Sequence, residues 1–271
     1  MDYVIIPGTQ LYVSRLAFGT ASLHRLLSAR ERSNLLGTAL DSGITHFDTA
    51  PYYGFGLAEK DISSLIFNRR AAVTVATKVG LYPVGWYATS GLDVLLRKAA
   101  GKVCGALSRP QVDWSVRRAE QSLNLSLARM RTDYVDLLYL HEPSPMLINL
   151  DEFRRWGERA VESGKARYLG LAGTPHRFSN WLKVTDSFGT VVQSQDSVGS
   201  GEGESECVLH AGRPLQFTYG YLRDRHDLQT VDVPARTLKK ALIRNHAGAV
   251  LFSTRSTVRL RQLVGVFSEQ H

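Results

Sequence analysis

The chain has 271 residues, a formal net charge of +8, 44% hydrophobic residues and 21% charged residues. This composition supports a sizeable core and excludes a disordered or collagen-like chain, and the length suits one domain, residues 1–271, on the scale of an α/β barrel. Its two cysteines, Cys104 and Cys207, form no CxxC and have no nearby histidine, which argues against a disulfide scaffold or zinc site and fits a reducing cytoplasm.

The opening stretch MDYVIIPGTQLYVSR lacks a basic start and has only a short apolar run before Pro7, so no secretory signal is expected. Around Gly8, YVIIP and LYVS read as a small hairpin able to close one end of a barrel. Eight short apolar runs follow: 15–22, 44–50, 72–80, 134–142, 166–173, 190–197, 214–222 and 249–256. They lack clean alternation, as strands buried on both faces of a parallel sheet do. Helical spacing fills the intervals 28–42, 57–69, 111–130, 151–163, 175–187, 234–246 and 257–269, with a weaker glycine-rich helix signal at 203–212. Residues 81–110 read as a long loop with no assigned element. Eight strand–helix units predict a (β/α)8 TIM barrel with a short N-terminal β-hairpin. The rival, a doubly wound open sheet, calls for GxGxxG after the first strand, whereas FGTAS stands there. No run approaches the roughly 18 apolar residues that a membrane span needs.

In such a barrel, chemistry gathers at the C-terminal strand ends. Asp48 ends the second strand, Lys78 the third and His141 the fourth, and Tyr53 follows five residues after Asp48. Singly, Asp48 reads as a cap, Lys78 as a surface lysine and His141 as a loop residue. Together they place four proton-handling groups at one rim. A phenol near pKa 10 is a poor proton donor at neutral pH, but an adjacent ammonium stabilises phenolate. A carboxylate keeps that ammonium charged, and a neutral imidazole orients a carbonyl oxygen. The set suits protonation of an oxygen becoming alkoxide. With no metal cluster or flavin signature, a hydride must come from a diffusible nicotinamide.

These segments resemble the aldo-keto reductase family: FDTAPYYGFGLAEK is similar to its second-strand motif, VATK to its lysine strand and DYVDLLYLHEP to its histidine strand. The resemblance covers about residues 11 to 267. It implies a catalytic set of Asp48, Tyr53, Lys78 and His141, with Tyr53 as general acid, and an extended NAD(P)H across the barrel mouth. Gly19 and Thr20 would approach the nicotinamide half, Gln193 would bond the carboxamide, and Phe217 would stack on the ring. Ser253, Arg255 and Arg259 in FSTRSTVRL would surround the adenosine phosphate, with backbone N–H groups from a helix beginning near Ser256. Residues 209–271 hold ten Lys or Arg against four Asp or Glu, which reads as a solvated surface or a phosphate site; no nucleic-acid signature accompanies it. The arginine pair favours NADPH, with NADH possible.

Departures from the family pattern are Ala172 and Gly173, where a Ser-Asn or Ser-Gly pair is usual, and Asp196 beside Gln195. Because the chain ends at His271, soon after the last expected helix, an open pocket is expected, with Tyr82, Trp86 and Tyr87 of the 81–110 loop lining it. The expected partner is a small carbonyl substrate, reduced to an alcohol. Two further readings share the motifs: an NAD-dependent aldose or pyridoxal dehydrogenase, and a nicotinamide-binding redox sensor with little turnover, as channel-associated relatives are thought to be.

Overall fold

The computed structural model describes residues 1–67, 69–85, 87–144, 146–177, 188–199, 201–202, 214–222 and 232–268. Strands β1 (Tyr3–Ile5) and β2 (Tyr12–Ser14) form an antiparallel hairpin, as the sequence predicts. Eight parallel strands then close into a barrel: β3 (Leu16–Gly19), β4 (His46–Asp48), β5 (Thr74–Val79), β8 (Val135–His141), β9 (Ala166–Gly173), β10 (Val191–Gln195), β11 (Phe217–Tyr219) and β12 (Ala249–Phe252). All eight lie within the expected runs. Their outer faces pack against α1 (Ala29–Asp41), α2 (Leu57–Ile66), α4 (Val116–Met130), α5 (Leu150–Glu162), α6 (Asp232–Arg244) and α7 (Thr257–Ser268).

The expected helix over 175–187 lies outside the described residues from 178 onward, as do the 203–212 segment, Trp86 and Cys207. Among the described residues, no helix is long and apolar enough to cross a membrane.

The segment 81–110 corrects the expectation of a loop. It carries β6 (Leu81–Tyr82), which pairs antiparallel with β7 (Gln111–Val112), and α3 (Gly91–Val103). Ser90 and Asp93 form a reciprocal capping box that satisfies two free N–H groups at the start of α3. That S-x-x-D spacing was the available signal.

Two apolar clusters divide the interior. One lies between strands and helices; the other fills the lumen with Ala17, Ala76, Leu137, Tyr139 and Phe217. Ile6, Leu11 and Val13 of the hairpin region join the lumen cluster and plug the barrel from its N-terminal end. Because side chains on a strand alternate, lumen residues recur every second position. His46 therefore stands one layer below Asp48, and Phe217 one layer below Tyr219.

His46 is fully buried and stacked on Phe217, with ring centroids 4.5 Å apart. Its Nδ1 meets Thr74 Oγ1 at 2.8 Å, while Nε2 is buried with no partner among the described residues. Burial, helped by the Lys78 charge, pulls its pKa from 6.5 to about 3. The unfolded chain therefore takes up a proton below pH 6.5 that the folded chain refuses, and stability falls as pH drops through that window. At pH 5 the loss is about 2 kcal/mol. Urea unfolding at pH 7 and pH 5 will show this increment in the parent protein and not in His46→Gln; equal pH sensitivity would contradict it.

Candidate active site

The top lumen layer is polar. Lys78 Nζ donates to Asp48 Oδ1 at 2.5 Å and to the Thr49 carbonyl at 2.9 Å, and both side chains are nearly solvent-free. Burial pushes the Asp48 carboxyl up and the Lys78 ammonium down, and the contact between them opposes both shifts. The Gln193 amide also bonds the Asp48 carboxylate. On the outer side of β5, Glu59 of α2 accepts from Thr77 Oγ1 at 2.6 Å and from Arg129 Nε at 2.8 Å. This satisfies a fully buried carboxylate whose charge favours the Lys78 ammonium.

Tyr53 enters from the turn after β4. Gly54, Phe55 and Gly56 all have positive φ, at 58°, 55° and 88°. A Cβ on Gly54 would come within 2.7 Å of the His24 side chain, so this reversal needs glycine there. The turn brings the Tyr53 ring to 5.9 Å from that of His141, edge to face at 86°, and to 4.9 Å from Lys78 Nζ. Burial, reinforced by the Lys78 charge, holds the His141 pKa well below 6.5, so its imidazole is neutral at neutral pH. His141 Nδ1 and Gln193 Oε1 are buried with no partner among the described residues.

These residues line a cleft of about 730 Å³ together with Gly19, Ser253 and Arg255. Thr20 lies behind it, fully buried, its hydroxyl donating to the Asp48 carbonyl at 2.9 Å. Ser253 Oγ donates to the Gly19 carbonyl at 2.7 Å, tying β12 to β3. Arg255 and Arg259 flank a smaller recess of about 190 Å³, which shares Ser22, Leu222 and Ser253 with the cleft. Ser256 Oγ accepts from the Arg259 N–H at 3.2 Å, capping α7 where the sequence places a helix start.

Three expectations are corrected. Phe217 does not reach the cleft: it is buried one layer down against His46, and Tyr219 lines the cleft instead. Tyr82 is fully buried under Arg118, and Leu81 faces the cleft in its place. Tyr87 does not line the cleft either: the Arg129 guanidinium lies over its ring, 3.9 Å from the centroid. Of the departures from the family pattern, Ala172 and Gly173 line the cleft, whereas Asp196 is buried and accepts from Tyr221 Oη at 2.7 Å and Arg244 Nε at 2.9 Å. Sequence reasoning missed Tyr52, Arg25 and Glu142 among the lining residues. Glu142 follows His141 in a left-handed conformation, φ 51°, its carboxylate held by the Thr174 N–H and hydroxyl.

Comparison with known proteins is consistent with this geometry. The model of the Aldo/keto reductase family matches residues 15–195, more than half of the chain. The chain belongs to the aldo/keto reductase family. It is 30% identical over 178 residues to the aldo-keto reductase YhdN of Bacillus subtilis, covering 64% of this chain and 47% of that protein. It is 36% identical over 143 residues to a D-threo-aldose 1-dehydrogenase of a Pseudomonas species, covering 49% and 41%. The chain thus spans about half the length of the curated relatives it matches. An aldo-keto reductase from Bacillus halodurans, in its holo form, superimposes over 100% of this chain and 92% of its own, with a TM-score of 0.76 at 20% identity, which shows the shared fold.

Proposed function

We propose that this aldo/keto reductase reduces the carbonyl of an aldehyde, ketone or sugar to an alcohol, using NADPH, with Tyr53 as general acid. The observation that carries the reading is the Lys78 ammonium, 2.5 Å from Asp48 and 4.9 Å from the Tyr53 ring centroid, beside a neutral His141. A bound nicotinamide supplies the hydride. Tyr53 delivers the proton to the carbonyl oxygen as negative charge develops there. Lys78 stabilises the phenolate left behind, and Asp48 fixes the ammonium in place. His141 holds the same oxygen by a hydrogen bond, which a neutral imidazole can donate.

The cleft suits such a cofactor. Gln193 Oε1 is a buried acceptor with no partner among the described residues, as the N–H of a carboxamide requires. Ala172 and Gly173 offer no side-chain hydrogen bond, which leaves Gln193 as the carboxamide's partner. The recess between Arg255 and Arg259 lies at the capped start of α7 and suits a 2′-phosphate. Gly19 forms part of the cleft wall and Thr20 backs it, and they would border the nicotinamide half.

Absorbance of NADPH, followed with a panel of aldehydes, tests the reading. Steady consumption is expected; cofactor bound without consumption would instead fit a redox sensor. Arg255→Ala is expected to raise the NADPH Kd about ten-fold, the effect of one lost charge-assisted contact, with a smaller change for NADH. A parent protein that binds NADH more tightly overturns the cofactor choice. The likeness to the D-threo-aldose dehydrogenase supports a second reading, aldose oxidation at the same site, which that preference for NADH would favour.

A further inference from the structure

Beside Tyr53 a side pocket of about 370 Å³ opens from the cleft, sharing Tyr52, Tyr53, Arg25 and Ser253 with it. Its remaining charged wall is Lys98 of α3, and among the described residues no acid lines it. Lys98 Nζ is held 2.5 Å from Nε2 of His24. His24 is buried and accepts that contact as a neutral ring, since burial, then the Lys98 and Arg25 charges, pull its pKa to about 4. The Arg25 guanidinium makes no hydrogen bond or ion pair with the described residues, and its charge also bears on Lys98. A third cation, Arg97, lies over the Phe55 ring on the same side, 4.1 Å from its centroid.

Like charges gathered at the wall of a cleft disfavour the empty state and draw in an anion. The acids of the cleft do not answer them: Asp48 is taken by Lys78, and Glu142 is tied to Thr174 at the end of β9, across the barrel from β3. We propose that Arg25 and Lys98 form a subsite for a carboxylate or phosphate carried by the carbonyl substrate, a few bonds from the oxygen presented to Tyr53. The proposal rests on the carbonyl-reducing reading of this site and narrows it to anionic aldehydes.

Two matched pairs test it: 4-carboxybenzaldehyde against benzaldehyde, and glyceraldehyde 3-phosphate against glyceraldehyde. In the parent enzyme the anionic member of at least one pair is expected to have the higher kcat/KM, mainly through KM, and the pair showing it identifies carboxylate or phosphate. Lys98→Met is expected to lower that ratio about ten-fold and Lys98→Arg to restore it, the scale of one charged contact. Lys98 is exposed, so its replacement leaves the core intact. NADPH affinity, measured by fluorescence without aldehyde, separates the alternative. If Lys98→Met weakens NADPH binding and slows both members of a pair equally, the cations serve a cofactor phosphate and the proposal fails. Equal ratios in parent and variant also overturn it. Calorimetric titration of the NADPH-saturated protein with benzoate and with inorganic phosphate reads the subsite without turnover and with the cofactor's own phosphate sites filled. Binding lost in Lys98→Met upholds the anion site even if no aldehyde is reduced, whereas no binding of either ion rejects it.

Discussion

Tyr53→Phe is expected to lower kcat by about 10² to 10⁴, the usual contribution of a positioned general acid. The variant removes one oxygen and leaves the ring, so its edge-to-face contact with His141 and its place beside Lys78 are retained. NADPH affinity should stay within about two-fold, because the phenol contributes acidity rather than cofactor contact. Near-normal turnover in this variant would remove Tyr53 from the role of acid and with it the mechanism proposed here. A parallel fall in kcat and in NADPH affinity would point to a collapsed cleft instead.

Lys78→Met should cost stability as well as activity. Lys78 is 1% exposed, and its loss leaves the Asp48 carboxylate without its ion-pair partner and the Thr49 carbonyl without its donor. Breaking one side of a buried pair costs about 3 to 5 kcal/mol. Asp48 can limit this by taking up a proton, since burial already pushes its pKa up, so the cost should shrink as pH falls. Replacing both partners by apolar groups of similar volume is often neutral, so Asp48→Leu combined with Lys78→Met should regain most of the lost stability and none of the turnover. Urea midpoints and initial rates on the same three preparations decide this. A double variant that regains its rate would show that the pair serves folding alone.

The barrel was legible because each parallel strand is buried on both faces and reads as a short apolar run. Asp48, Lys78 and His141 stood out because a charge or imidazole at the end of such a run is conspicuous. The same property hid the layers. With both faces buried, alternation disappears, and a three-residue strand such as Phe217–Tyr219 gives no phase by which to tell the lumen floor from the rim. The strand Leu81–Tyr82 is two residues long, too short to show which of them faces the cleft. The helix Gly91–Val103 escaped for another: Leu92, Leu95 and Leu96 lie on its exposed side, so its apolar pattern does not point to the core. Glu142 carried no signal, since its positive φ is imposed by the chain path between His141 and Pro143 rather than by its own preference.

The hairpin that stoppers the barrel floor separates two burdens. Ile6, Leu11 and Val13 seal the end remote from Tyr53, so anchoring strength and reactivity belong to opposite ends of the molecule. Exchanging the segment that carries Arg25, or the face of the helix that carries Lys98, would retune which molecules are accepted at small expense in melting temperature. Paring back the stopper would soften the whole cylinder while leaving its preferences among substrates unaltered.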